Sequence, residues 1–210
     1  MILPREIKLA SKVRTPRTIH KFVLELVEKI GSGFSPIWVQ VRPAKGALPG
    51  ECFFNVPEQI KIKGGGIRYG WTVWQCANLF IEGEFHAVWV SPQGDLFDPT
   101  PKDDGETRIL FVPDDRQTWQ GIRVPNIHHA LVDGPEVRDF LKTVIEQMEF
   151  LKRNAVPNSP NEIYDPHGDW QRLETEKGRL TVGMSKYVAA SNASCFCESG
   201  RHFGNCCGKL

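Results

Sequence analysis

Two groups of side chains in this sequence have the types and the spacing that support chemistry. The first is a set of four cysteines within the last sixteen residues, Cys195, Cys197, Cys206 and Cys207. The second joins a cysteine to a histidine and an aspartate that follow it in the chain, Cys52, His86 and Asp98. Thiolates bind metal ions, and a thiol beside an imidazole and a carboxylate can act as a nucleophile. The sequence therefore predicts a metal site and a candidate site for thiol chemistry.

The spacing of the four C-terminal cysteines favours a metal over disulfides. They form the pattern C-x-C-x8-C-C, which brings two close pairs of sulfurs together around a turn. Four thiolates suit tetrahedral Zn²⁺, and a closed set of four ligands leaves no coordination position for a substrate. A segment this short has almost no apolar core, so the metal would supply its folding energy. We expect a structural zinc site, with His202 as the alternative to one of the two adjacent cysteines.

The same segment resembles the SEC-C motif, which occurs at the C-terminus of the SecA translocation motor and on many unrelated bacterial proteins. The agreement extends beyond the cysteines to Ser199-Gly200, Phe203 and the closing Gly208. Where the motif often ends in Cys-His, this chain has Cys206-Cys207. The resemblance implies that the tail docks on a protein partner, such as a chaperone, a translocase or a ribosomal protein.

Residues 84–101 are expected to form a β-hairpin that carries His86 and Asp98. Apolar side chains alternate along residues 85–90, and Ser91-Pro92-Gln93-Gly94 supplies a tight turn. If residue i lies opposite residue 184 − i, His86 faces Asp98, and a register slipped by two residues leaves them diagonal on one face. A carboxylate beside an imidazole fixes the tautomer of the ring and prepares a general base.

The thiol that would complete this site is Cys52, which follows a loop of glycines and prolines at residues 42–50. A cysteine at the start of a helix gains from exposed backbone N–H groups, which favour the thiolate. The alternative is that Cys52 is a small buried packing residue. Glu84 and Glu51 are alternatives to Asp98 as the orienting group, and Glu84 is the better of the two because it shares a face with His86.

The chain order of Cys52, His86 and Asp98 is similar to that of the papain-like and transglutaminase-like cysteine hydrolases. The resemblance implies an α+β fold in which helices pack on an antiparallel sheet. It also implies that these residues act as nucleophile, general base and orienting acid, respectively. Attack on an amide or ester, for example in a peptide or protein substrate, would then form an acyl-enzyme. The expected oxyanion donors are the backbone N–H of Cys52 and the side chain of Gln40.

Hydrophobic periodicity predicts the elements around these sites. Amphipathic helices are expected from Thr15 to Ile30 and over 134–152, with a weaker helix over 169–177. Strands are expected at 36–41, 58–63, 69–76 and 107–113, and residues 116–134 are expected to be irregular. Three prolines within 155–168 mark a boundary. We therefore predict a catalytic core at 1–154, a linker with a weak helical extension at 155–194 and a zinc tail at 195–210.

Charge and hydropathy exclude several classes of protein. Because 26 Lys and Arg balance 25 Asp and Glu, with no basic segment, nucleic-acid binding is not expected. No apolar run is long enough to span a membrane, and the N-terminus lacks the pattern of a signal peptide, which predicts a cytoplasmic protein. The sequence thus predicts a cytoplasmic thiol hydrolase or acyltransferase whose zinc tail binds a partner protein. The alternative is a non-enzymatic adaptor that uses the same tail.

Overall fold

The computed structural model describes residues 13–103, 105–156 and 159–208, and within them the chain forms a mixed α+β fold. The strands are β1 (Val13–Arg14), β2 (Ile37–Val41), β3 (Gly66–Cys76), β4 (Phe80–Val90), β5 (Leu96–Asp98), β6 (Arg108–Pro113), β7 (Ile127–Ala130), β8 (Ala155–Val156) and β9 (Ser159–Ile163). The α-helices of this part are α1 (Lys21–Ile30), α2 (Cys52–Lys63), α3 (Pro135–Asn154) and α4 (Asp169–Met184). Two short 3₁₀ helices follow at Ser185–Tyr187 and Phe203–Asn205.

Five strands close into a small barrel in the order β3-β6-β2-β5-β4, because β3 also pairs with β4. Strand β6 is antiparallel to both β2 and β3, and β4 is antiparallel to β5. Strands β2 and β5 run parallel, with Gln40 opposite Phe97 and Val41 opposite Asp98. The sheet is therefore mixed, whereas the sequence predicted a purely antiparallel one. A cluster of buried side chains on β2, β4 and β6 fills this region: Val39, Val88, Ile109 and Phe111.

Helix α2 covers residues that the sequence divided between a short helix or turn after Cys52 and a strand at 58–63. The predicted strand at 58–63 is wrong, because the helix that starts at Cys52 continues through Pro57 to Lys63. Its buried face packs against β4 in a cluster that contains Cys52, Val56, Ala87 and Trp89. Residues 52, 56 and 59 recur at helical spacing on this face, and their burial outweighs the hydrogen bond that Pro57 cannot donate.

Helix α1 is shorter than predicted. It begins at Lys21, and His20 occupies the N-cap position, so Thr15 does not cap it. Thr15 instead donates its backbone N–H and its hydroxyl to the carboxylate of Glu106, at 2.9 and 2.5 Å. The predicted end is confirmed, because Gly31 adopts a φ of 66° and donates its N–H to the carbonyl of Val27. His20 is buried.

The chain divides into two compact units. One contains residues 15–74 and 82–127, and the other contains the described residues among 1–14, 75–81 and 128–208. The core of the second unit joins the turn between β3 and β4 to helices α3 and α4 through six buried side chains, Cys76, Leu79, Phe80, Val137, Leu141 and Met184. The functional division at residues 154 and 194 stays a prediction.

Two segments in which the sequence predicted no strand contain strands. Strand β7 lies within 116–134, and β8 pairs with β9 within the predicted boundary at 155–168. Helix α4 starts at the predicted residue, Asp169, and extends seven residues beyond the predicted end at Lys177, to Met184. No helix in the described parts of the chain has both the length and the apolar character needed to cross a membrane.

Candidate functional sites

Cys52 is the first residue of helix α2 and its side chain is buried, with 4% of its surface exposed. The first backbone N–H groups of a helix have no partner within it, so the thiol lies beside the positive end of the helix dipole. The loop before the helix ends in turns at Ala44–Ala47 and Leu48–Glu51, each closed by a backbone hydrogen bond. The predicted placement of Cys52 at a helix start after a turn-rich loop is therefore confirmed.

His86 and Asp98 lie on the paired strands β4 and β5. Trp89 is opposite Phe97 and Val90 is opposite Leu96, so the register places Asp98 across from Val88. The directly opposed pairing of His86 with Asp98 is thus wrong, and the register slipped by two residues is observed. The diagonal separation is bridged by the side chains, with His86 Nε2 2.9 Å from Asp98 Oδ2.

Asp98 is completely buried, and its carboxylate contacts the ring of His86, the ammonium of Lys102 and the backbone N–H of Thr100. Its Oδ2 contacts both His86 Nε2 and the ammonium of Lys102, the latter at 2.8 Å. Its Oδ1 accepts the backbone N–H of Thr100 at 2.9 Å. Burial opposes ionisation, but the charges and hydrogen bonds of His86 and Lys102 hold the pKa of Asp98 well below its ordinary value. The carboxylate is therefore charged at neutral pH.

The imidazole of His86 lies between this carboxylate and the thiol of Cys52. Burial lowers the pKa of the ring, but the charges of Asp98 and Cys52 and their side-chain hydrogen bonds outweigh it and raise the pKa to about 10. Because Asp98 contacts Nε2, the ring nitrogen left for Cys52 is Nδ1. The structure thus brings together all three residues that the sequence singled out.

Both ends of helix α2 are tied to the segments that carry the other two residues. Near its start, the amide of Asn55 donates to the carbonyl of Leu48 at 2.8 Å and to the hydroxyl of Thr100 at 3.1 Å. At its end, Trp89 Nε1 on β4 donates to the carbonyl of Gly64 at 2.9 Å. The next residue, Gly65, has a φ of +85° and passes so close that a Cβ would lie 2.1 Å from the carbonyl oxygen of Val90. These contacts fix the position of Cys52 relative to strands β4 and β5.

The alternatives to Asp98 do not contact His86 among the described hydrogen bonds and ion pairs. Glu84 is exposed and accepts the indole N–H of Trp74 at 2.7 Å. Glu51 is the exposed N-cap residue of α2 and makes no side-chain capping bond. Gln40, the expected second oxyanion donor, is exposed on β2, where its carbonyl oxygen accepts a hydrogen bond from Arg42 at 2.9 Å.

Two residues of this site were missed in the sequence. Lys102 follows Asp98 by four residues, and the signal available was the turn formed by Pro99 and Pro101, which folds the lysine back. Asn55 stands three residues after Cys52, a spacing that places a polar side chain on the buried face of the helix. A polar residue on an apolar face is a signal for a specific hydrogen bond.

The four C-terminal cysteines form the second candidate site. Their sulfurs all lie within 4.8 Å of one another. Cys197 Sγ lies 3.4 Å from that of Cys195 and 3.5 Å from that of Cys206, and the sulfurs of Cys206 and Cys207 are 4.0 Å apart. Four convergent sulfurs are a donor set that can hold a metal ion. His202, the alternative ligand, is exposed and is not part of this group.

The local structure explains how the short tail brings these sulfurs together. Cys195 donates its N–H to the carbonyl of Arg201, and Ser194 pairs with His202 in an isolated bridge. The chain then turns through the second 3₁₀ helix, and Phe203 packs with Cys195, Cys206 and Ala77. Gly208 passes against the ring of Phe203, where a Cβ would lie 2.5 Å from the nearest ring carbon. The buried aromatic residue is thus the small core around which both cysteine pairs fold.

Comparison with known proteins gives no match for this chain among protein-family models, curated proteins or solved structures. The resemblances to SEC-C segments and to papain-like and transglutaminase-like hydrolases therefore stay predictions. What can be concluded about function depends on the geometry of the two sites.

Proposed function

We propose that this protein is a thiol hydrolase or acyltransferase that acts on an amide or ester bond. In this proposal Cys52 is the nucleophile, His86 is the general base and acid, and Asp98 orients the ring. The observation that carries it is the continuous series of side-chain contacts from Cys52 to His86 to Asp98. A buried thiol that interacts with an imidazole, which is itself hydrogen-bonded to a buried carboxylate, is the arrangement expected of an activated nucleophile.

Before the substrate reacts, the S–H bond of Cys52 breaks and its proton is held by His86, whose raised pKa favours the protonated ring, so that a thiolate lies beside an imidazolium. The sulfur attacks the carbonyl carbon, a C–S bond forms, and the C–N or C–O bond to the leaving group breaks. The leaving group takes the proton from the ring, which leaves a thioester on Cys52. Water or an amine then attacks the thioester with His86 as base. The C–S bond breaks, and the carboxylic acid or the new amide leaves with the thiol restored.

The developing oxyanion needs hydrogen-bond donors, and the start of helix α2 supplies one. The backbone N–H of Cys52 is among the first in its helix and so has no partner within that helix. We propose this N–H as the first donor. Gln40 stays a candidate for the second, and its amide group would have to turn from Arg42 toward the substrate.

The proposal is tested with p-nitrophenyl acetate, a small activated ester. Wild-type protein is expected to release one equivalent of p-nitrophenolate in a burst and to carry one acetyl group on the peptide that contains Cys52. Cys52→Ala removes both, whereas Cys76→Ala, which replaces an equally buried cysteine, keeps both. Acetylation that is unchanged in Cys52→Ala would overturn the proposal.

We also propose that the four C-terminal cysteines bind one structural Zn²⁺. Sulfurs about 2.3 Å from a tetrahedral Zn²⁺ lie about 3.8 Å from one another, and the distances of 3.4, 3.5 and 4.0 Å within the group are close to this value. Bound zinc would supply folding free energy to a segment whose core is a single buried phenylalanine, Phe203. With four thiolates as ligands, it would take no part in the reaction at Cys52.

A second candidate function is that of a non-enzymatic adaptor that docks a chaperone, a translocase or a ribosomal protein through the cysteine tail. The observation that favours it is the compact metal-binding geometry of the tail, which needs no catalytic partner. In cells that lack the native protein, the adaptor function predicts that Cys52→Ala restores the wild-type phenotype and Cys206→Ser does not. The enzyme function predicts that Cys52→Ala fails while the matched variant Cys76→Ala succeeds.

A further inference from the structure

A lysine joins the buried group at the carboxylate end. The ammonium of Lys102 lies 2.8 Å from Asp98 Oδ2, the same oxygen that contacts His86 Nε2, and its side chain is only 8% exposed. On another side it lies 5.8 Å from the centre of the Trp74 ring. Lysine is seldom buried, because an ammonium loses its hydration unless a charged partner compensates. The partner here is the carboxylate that the proposed mechanism needs.

The number of charges in this group explains why a cation is present. Asp98 and Lys102 carry one negative and one positive charge and cancel. Movement of the proton from Cys52 to His86 then adds one negative and one positive charge, so the net charge is zero before and after the transfer. Without Lys102 the group would carry a net charge of −1 in both states. An uncompensated carboxylate would then retain the proton on His86.

We propose that Lys102 is a positioning residue that fixes the orientation of Asp98 and balances its charge, so that His86 can both accept and release the proton of the thiol. This inference rests on the proposed function. It assigns to the site a fourth side chain, from the turn that follows β5. Loss of the cation would make His86 too strong a base to return its proton to a leaving group efficiently, and acyl transfer would slow.

The other charged groups of the site do not replace Lys102. Cys52 lies on helix α2, and its effect on the ring is opposite to that of Lys102, because the negative charge of the thiolate holds the proton on His86. Glu84 on β4 is not a cation, and its carboxylate accepts the indole N–H of Trp74, the ring that lies 5.8 Å from the ammonium of Lys102. In the described part of the chain, the carboxylate of Asp98 has two cationic partners, the ring of His86 and the ammonium of Lys102.

The test uses the full chain and measures the proton affinity of His86 directly. In a Cys52→Ala background the thiol no longer raises the pKa of the ring, so ¹⁵N-labelled His86 can be titrated by NMR at moderate pH. We expect the midpoint to rise by about one pH unit in Lys102→Met and to return toward the starting value in Lys102→Arg. The matched control Lys61→Met, an exposed lysine of helix α2, leaves the midpoint unchanged.

The second part of the test measures the rate of acetylation in protein that keeps Cys52. In Lys102→Met we expect acetylation of Cys52 by a simple alkyl ester, whose leaving group must take a proton from His86, to fall about tenfold near neutral pH, with its pH profile moved to higher pH and Lys102→Arg restoring most of the rate. Acetylation by p-nitrophenyl acetate, whose leaving group needs no proton, should fall less. An unchanged His86 midpoint in folded Lys102→Met would overturn the inference. A shifted midpoint together with absent acetylation of wild-type protein would keep Lys102 as the partner of Asp98 and overturn the proposed enzymatic function instead.

Discussion

Asn55 donates its side-chain amide to the hydroxyl of Thr100, and this contact joins the helix that begins at Cys52 to the turn that follows Asp98. Thr100 in turn donates its backbone N–H to Asp98. The same amide group of Asn55 holds the loop before Cys52 through two hydrogen bonds with Leu48. The polar side chain buried on helix α2 therefore connects the segments that carry Cys52 and Asp98.

Asn55→Ala should reduce both stability and activity. The substitution leaves the carbonyl of Leu48 without this donor, and we expect the free energy of unfolding to fall by about 2 kcal/mol. Urea unfolding measures this change, and the rate of Cys52 acetylation should fall as well. Gln120→Ala is the control, because Gln120 is exposed and its amide contacts the hydroxyl of Thr118. Equal stability of the two variants would contradict the connecting role of Asn55.

Asp98→Asn should slow the acetylation of Cys52 by at least about 100-fold, because the ring loses the charge that orients it and stabilises its protonated form. The rate is measured by mass spectrometry of the Cys52 peptide. Glu84→Gln provides the comparison, since Glu84 was the alternative orienting group and bonds to Trp74 instead. A larger loss in Glu84→Gln than in Asp98→Asn would show that the orienting group has been misassigned.

The stability of the protein should fall as the pH rises above neutrality. His86 has its pKa raised from 6.5 to about 10, so the folded chain holds a proton that the unfolded chain releases between these values. The stabilisation from the ring is complete below pH 6.5 and is lost as the pH approaches 10, with a slope of up to about 1.4 kcal/mol per pH unit.

Urea unfolding at several pH values tests this dependence. His86→Gln should flatten the decline between pH 7 and pH 9. In the wild-type protein this decline corresponds to roughly one proton that the folded chain keeps and the unfolded chain releases. His167→Gln, which changes an exposed histidine, should keep the decline of the wild-type protein. A wild-type protein whose stability is constant over this range would contradict the raised proton affinity of His86.

Purified protein should contain one equivalent of zinc, measured by elemental analysis. Removal with a strong chelator should release one Zn²⁺ per chain and should lower the protection of the tail from proteolysis, because the metal supplies the folding energy of that segment. Cys206→Ser should lose most of the metal, whereas Cys76→Ala, at a buried cysteine outside the group, should retain it. Full zinc content in Cys206→Ser would exclude that cysteine as a ligand.

The parts of the site that the sequence predicts are those set by local patterns. Alternation and turn residues locate the hairpin of His86 and Asp98, and the glycine- and proline-rich loop locates the start of the helix at Cys52. The register was uncertain by two residues, because a slip of two keeps every side chain on its own face. Packing against the neighbouring strands determines the register, and the sequence alone does not show that packing.

Other features depend on contacts between distant segments. Residues 58–63 alternate like a strand, yet their burial against β4 makes them the second half of helix α2. The parallel pairing of β2 with β5 joins segments more than fifty residues apart, which no local pattern indicates. Thr15 was predicted to start helix α1, but its hydroxyl donates a hydrogen bond to Glu106 and the helix begins later in the chain. In each case tertiary contacts outweigh local preference.

We propose that His86 activates the thiol of Cys52, and the rate at which Cys52 is alkylated is the sharpest test of this activation. Cys52 and Cys76 are equally buried, at 4% and 2% exposure, so a difference between them reports chemical activation rather than access. With iodoacetamide at pH 7, peptide mapping should show Cys52 modified at least about tenfold faster than Cys76, and His86→Ala should abolish the difference. Modification of Cys76 with Cys52 untouched would contradict the account.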